Sequence, residues 1–155
     1  MSVETDGEEL MVAIQRLGRL MGSRQVSSRI ADAAGAEISQ QGVQILRALL
    51  REGELPIAGL AAAAHMDISA VSRQLRPLEE AELVRRAAAA EDGRVALVSL
   101  TAAGRRVAKK IKDVGLKHLT GSLADWSERD LKELGHLMTR LVDDLQRTEI
   151  TPLGK

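Results

Sequence analysis

Between positions 69 and 76 the chain carries Ser69, Ser72, Arg73, Gln74 and Arg76, all side chains able to hydrogen-bond a DNA base edge or a phosphate. An arginine can address both acceptors of guanine at once, a glutamine can address adenine, and serine hydroxyls suit phosphate oxygens; the sequence alone leaves these pairings open. Farther along, Asp92, Gly93 and Arg94 set a carboxylate two residues before a guanidinium. A planar, permanently charged guanidinium suits the negative potential of a narrow minor groove, and a nearby carboxylate limits its rotamers before binding. The competing reading of that pair is a surface ion pair across a turn.

These groups need elements to hold them. Val71, Leu75 and Leu78 recur at i, i+4 and i+7, so at about 100° per residue they share the inner face of a helix. Ser69, Arg73, Arg76 and Pro77 then lie on the opposite side, with Ser72 and Gln74 flanking them. Asp67 is placed to accept hydrogen bonds from the first free amides of this helix. A short helix over 57–64 and the residues His65 and Met66 precede it, giving helix, turn, helix. Pro77 has no amide hydrogen to donate and is expected to bend or loosen the helix beyond its reading end. Upstream, Ser39 is expected to cap a helix that turns Val43, Leu46, Leu49 and Leu50 inward and ends over 51–56.

After Leu83 the period changes. Residues 84–89 and 94–100 enclose Ala90, Glu91, Asp92 and Gly93, and Asp-Gly is a strong hairpin signal. The run from Ala87 to Ala90 favours helix by intrinsic propensity, so the first strand rests on the turn and on its β-rich partner 95–100.

Long amphipathic segments lie at both ends. Leu10, Ile14, Leu17 and Met21 mark one face of a first helix expected over 8–33. Thr101 is expected to cap a helix with Val107, Ile111 and Val114 inward, and Ser127 starts a last helix in the manner of a capping box. That last helix carries Leu131, Leu134, Met138, Leu141 and Leu145 at spacings of three and four, the pattern of a helix-pairing seam. A small domain has little internal core to cover such stripes, which points to pairing with a second copy.

Composition narrows the function classes. At 155 residues, with 45% hydrophobic and 28% charged side chains, the chain suits one soluble unit. No apolar run approaches the roughly 20 residues of a membrane span, and the start lacks the basic region of a signal peptide, so no membrane partner and a cytoplasmic location are expected. Without cysteine there is no disulfide framework and no thiolate metal site. Net charge is zero, which argues against indiscriminate polyanion binding and keeps open an alternative, a protein-interaction module that never touches DNA. The charge is nevertheless segregated: Glu4, Asp6, Glu8 and Glu9 crowd the start, whereas Arg105, Arg106, Lys109, Lys110, Lys112 and Lys117 face only Asp113. Trp126 is the sole aromatic residue, so single-strand stacking platforms are missing and duplex DNA is the better nucleic-acid partner. His65, His118 and His136 form no short ligand pair, Asp143 and Asp144 read as surface charge, and no nucleophile, base and orienting group occur together. Neither an enzyme nor a metal or cofactor site is expected.

The stretch from Ser69 to Arg86, the Asp92-Gly93-Arg94 motif and the run from Val98 to Gly104 together resemble the multiple-antibiotic-resistance regulator (MarR) family of winged helix-turn-helix repressors, over nearly the whole chain. The resemblance implies a mainly α fold with a small β-hairpin wing, a DNA-binding lobe over 39–100, and dimerisation helices over 8–33 and 101–148, all within one unit over 1–155. It implies a homodimer on a pseudo-palindromic operator, with the helix of Ser69, Ser72, Arg73, Gln74 and Arg76 in the major groove and Arg94, oriented by Asp92, at the minor groove. The seam would use Leu10, Ile14, Leu17, Leu131, Leu134, Met138, Leu141 and Leu145. Repression and response to a small-molecule effector are likewise what the family implies. Glu82 departs from the pattern, since a glycine commonly follows the recognition helix there, and a strained or different helix exit is expected.

Overall fold

The structure, a computed structural model, describes residues 3–149. Its elements run α1 (Val3–Met21), α2 (Arg24–Ala33), α3 (Gln40–Glu52), β1 (Leu55–Pro56), α4 (Ile57–Ala64), α5 (Ile68–Glu80), β2 (Val84–Ala88), β3 (Ala96–Leu100), α6 (Ala102–Ser122) and α7 (Glu128–Arg147). The chain divides into two compact units, with the boundary after Lys117 inside α6.

In the first unit, α3, α4 and α5 pack with the sheet and the start of α6 around one core. Ile45, Leu46 and Leu49 from α3 meet Leu60, Val71, Leu75, Val98 and Ile111, all of them fully buried. Burying a side chain of that size contributes about 1.5–3 kcal/mol, so this cluster is what holds α5 in place. The inward face expected from Val71, Leu75 and Leu78 is therefore present, joined by Ala70.

Local chemistry sets the element ends. Ser39 accepts a hydrogen bond from the Gly42 amide at 3.0 Å and starts α3, and Gly53 at φ 83° ends it. Thr101 Oγ1 accepts from the Gly104 amide and starts α6; Ser127 Oγ accepts from the Asp130 amide and starts α7. Asp67 is a correction: it occupies the cap position of α5 with extended backbone, but its side chain makes no cap hydrogen bond.

A second correction concerns the first helix. The expected continuous element over 8–33 is two helices, because Ser23 takes an extended conformation (φ −66°, ψ 121°) between α1 and α2. The Gly22 carbonyl beside this break accepts a hydrogen bond from Gln40 Nε2 at 3.1 Å. The apolar positions step from Met21 to Val26, a spacing of five that falls out of helical phase at the break. Pro77 does not stop α5, which continues to Glu80.

The wing is larger than a hairpin. β3 lies between β2 and β1 in a three-stranded antiparallel sheet, with Val84 opposite Leu100, Ala88 opposite Ala96 and Leu55 opposite Val98. Strand geometry overrides the helical propensity at Ala87 and Ala88, because Val84, Val98 and Leu100 bury one face of the sheet.

In the second unit, α7 buries none of its residues, and Leu131, Leu134, Leu137, Met138, Val142 and Leu145 are exposed apolar side chains along it. In the first unit, α1 exposes Leu10, Met11, Val12, Ile14, Leu17, Leu20 and Met21.

Candidate nucleic-acid interface

The core fixes which side of α5 faces outward. With Ala70, Val71, Leu75 and Leu78 buried, Ser69, Ser72, Arg73 and Arg76 all lie exposed, as the spacing predicts. Their states differ. Arg73 has no side-chain partner among the described residues, whereas Arg76 Nε donates to Glu80 Oε1 at 3.0 Å in an exposed i,i+4 pair. Such a pair is worth little in water and yields readily to a phosphate. Ser72 Oγ donates to the Ile68 carbonyl at 3.0 Å, which leaves its lone pairs free to accept.

Gln74 stands apart from the others. Half-buried, it accepts from Ser39 Oγ at 2.7 Å and donates through Nε2 to Gln41 Oε1 at 3.0 Å. Both ends of its amide are thus engaged with the start of α3. The side chain ties α5 to the start of α3 and keeps its second amide N–H available.

At the wing tip Asp92 Oδ1 accepts from the Arg94 backbone amide at 3.0 Å, and the Val95 amide donates to the Asp92 carbonyl at 3.1 Å. The turn is thus built by the aspartate side chain folding onto the backbone two residues on. Gly93 is not among the residues at positive φ, so the Asp-Gly signal located the turn without giving its type. The carboxylate therefore positions Arg94 through the main chain. None of the ion pairs among the described residues joins the two side chains, and the Arg94 guanidinium is exposed without a partner there.

The sequence reading missed the contacts that set the wing against the helix. Arg86 on β2 donates through Nε and Nη2 to the two carboxylate oxygens of Glu79 on α5, at 2.6 and 2.8 Å. The hydrogen bond to Glu79 raises the Arg86 pKa above its ordinary value, against the opposing effect of desolvation. The opposite signs of Glu79 and Arg86 on either side of a helix exit were the available signal. Arg85 donates across the ladder to Ser99 Oγ at 3.2 Å.

The exit itself runs through Glu82 at φ 57°, in the left-handed region. The Leu83 amide returns to the Leu78 carbonyl and the Glu82 amide to the Glu79 carbonyl, both at 2.9 Å, the paired closure that normally takes glycine at this position. Thr101 secures it, donating from Oγ1 to the Glu82 carbonyl at 2.6 Å and from its amide to the Leu83 carbonyl at 3.1 Å. A Cβ on Gly104 would be driven into that same Leu83 carbonyl, so glycine is required where α6 crosses the exit.

A MarR family model matches residues 38–96, the span from two residues before α3 to the first residue of β3. The HTH-type transcriptional regulator YxaD of Bacillus subtilis (strain 168) is 33% identical over 97 residues, covering 63% of this chain and 68% of that protein. The chain belongs to the MarR family.

Solved structures agree on the MarR fold. A MarR family protein from Bacillus stearothermophilus superposes with a TM-score of 0.79 at 18% identity, covering 95% of this chain and 100% of that one. NadR, solved in complex with 4-hydroxyphenylacetate, gives a TM-score of 0.70 at 24% identity, covering 90% of this chain and 92% of that one. The protein is thus a MarR-family transcriptional regulator with a winged helix-turn-helix fold, in which α5 and the β2–β3 hairpin stand where that fold has its recognition helix and wing.

Proposed function

We propose that this MarR-family regulator is a homodimeric repressor that binds a pseudo-palindromic operator, with residues 1–155 acting as one unit on duplex DNA. The recognition helix enters the major groove with Ser69, Ser72, Arg73 and Arg76 outward, and Arg94 reaches the adjacent minor groove from the wing tip. Gln74 supports that helix. The observation that carries the reading is the partnerless Arg73 on the outward face of α5, with the Arg94 guanidinium on a wing that Arg86 and Glu79 fix to the same helix.

The apolar stripes support the homodimer. Leu10, Ile14 and Leu17 on α1 and Leu131, Leu134, Met138 and Leu145 on α7 are exposed, Leu141 is partly so, and a second copy would cover them. Two heads on one face of the duplex require half-sites about one helical turn apart, on the order of 34 Å. A small-molecule effector that changes this spacing would release the operator; NadR with 4-hydroxyphenylacetate supports an organic ligand of that kind. No helix of the described residues is long and apolar enough to cross a membrane, which accords with a cytoplasmic regulator. No catalytic step, metal or cofactor is assigned.

The test is selection of duplexes from a randomised pool by the full chain, followed by gel shift over a salt series, with sedimentation of the free protein. A palindromic consensus, saturable binding that resists competitor DNA and a dimer mass are expected. A pool that never converges would overturn the operator reading and favour a protein-interaction module. A monomer mass at micromolar concentration would overturn the dimer.

A further inference from the structure

On the DNA-binding lobe one large apolar side chain is out of place. Ile68, the first residue of α5, is 56% exposed, and between residues 39 and 100 the only other exposed large hydrophobic is Val95 at 37%. The other exposed large apolar residues belong to α1 or lie between Leu116 and Leu145, where they form the stripes described above or stand near them. Ile68 has no such company. It precedes Ser69 and lies one helical turn before Ser72, whose hydroxyl is bonded to the Ile68 carbonyl.

Ile68 lies in line with Val71 and Leu75 but clears the core at the helix end, beside an outward face that can only hydrogen-bond. Ser69, Ser72, Arg73 and Arg76 carry hydroxyls and guanidiniums, while Ala70, Val71, Leu75 and Leu78 are buried against the core. Thymine differs from cytosine in the major groove by its C5-methyl group as well as by its exocyclic acceptor, and only an apolar surface gains from covering that methyl. Side chains on a helix lean toward its N-terminus, so a residue at the first position projects past the helix end instead of over its own turn. A β-branched isoleucine is also stiff at χ1, which keeps its methyl groups in place before contact.

We infer that Ile68 is a specificity-determining residue of the recognition helix and reads the C5-methyl group of a thymine in each half-site. This rests on the operator reading above and assigns one base preference within it to one side chain. Covering the methyl removes apolar surface on both partners from water. Loss of one buried methyl corresponds to about fourfold in affinity per half-site.

The experiment uses the full-length protein and the duplex it selects from the randomised pool, with each thymine replaced in turn by deoxyuridine, which lacks the methyl but pairs identically. Wild type is expected to lose about fourfold in affinity at one thymine of each half-site. The Ile68→Ala variant should bind thymine and uracil there equally, and Ile68→Val should keep most of the discrimination. Circular dichroism with a urea midpoint confirms that both variants fold, as an exposed position leads one to expect. A selected operator with no methyl-sensitive thymine, or an Ile68→Ala variant that discriminates as wild type does, overturns the inference and leaves the operator reading intact. Failure of wild type to select any sequence overturns both.

Discussion

Glu79 holds Arg86 at both carboxylate oxygens, at 2.6 and 2.8 Å, and so joins the last turn of the recognition helix to the first strand of the wing. A bidentate guanidinium fork fixes direction as well as distance, which a single contact would not. The pair is partly open to solvent, with side chains 41% and 27% exposed, so its energy is modest and its effect is geometric. Arg86→Ala should lower stability by no more than about 1 kcal/mol in urea unfolding. It should weaken operator binding by a larger factor than that loss explains, because the two contact elements lose their common orientation. Equal binding by variant and wild type in a gel shift would show that the pair does not set the wing.

Glu82 at φ 57° invites a stabilising substitution. A left-handed conformation costs a residue with a Cβ roughly 1–2 kcal/mol, and glycine gives back part of that gain through its freer unfolded chain. Glu82→Gly should therefore raise stability by about 0.5–1 kcal/mol. Glu82→Gln separates charge from backbone strain, and its thermal midpoint should stay near wild type.

Gly104 answers in the opposite sense. Alanine there would drive its methyl into the Leu83 carbonyl, and helix α6 would have to move off the recognition-helix exit. We expect Gly104→Ala to lose about 3 kcal/mol or more in urea unfolding, at the upper end of what overpacking causes. A loss under about 0.5 kcal/mol would mean that the junction is softer than its contacts imply.

Arg73, Arg94 and Gln74 should separate by what their loss changes. Arg73→Ala and Arg94→Ala are each expected to reduce operator affinity about tenfold or more with the fold intact. Arg94→Ala should also flatten the salt dependence, by up to about two in log–log slope for two subunits. Gln74→Ala removes the bonds to Ser39 and Gln41, so it should cost about 1 kcal/mol of stability and leave the selected consensus unchanged. A changed base preference in Gln74→Ala would return that side chain to the groove.

Residues acting on near neighbours were legible from the sequence. Val71, Leu75 and Leu78 declared the buried face of α5, and Ser39, Thr101 and Ser127 declared three helix starts, because periodicity and capping are short-range effects. Asp67 has the right type and position yet makes no cap bond, and the break at Ser23 showed only as a five-residue step between Met21 and Val26. The third strand escaped because Leu55 and Pro56 form too short a run to show alternation and find their partner only across the fold, at Leu97 and Val98. The ties of Gln74 were hidden for the same reason: its partners lie far back in the chain, and no local pattern announces them.

Thr101 uses its amide, its hydroxyl as both donor and acceptor, and its carbonyl, the last toward the Arg105 amide at 2.9 Å. The chain departs at Leu83 and comes back to the same spot at Thr101, so everything from Val84 to Leu100 is an excursion with its two ends stapled together. Lengthening such a loop at its far end adds only about 0.6 kcal/mol per doubling. The tip of the wing is thereby a replaceable cassette: beyond the buried Val84, Val98 and Leu100 it can be redrawn to reach a different groove while the recognition helix stays where the core has put it.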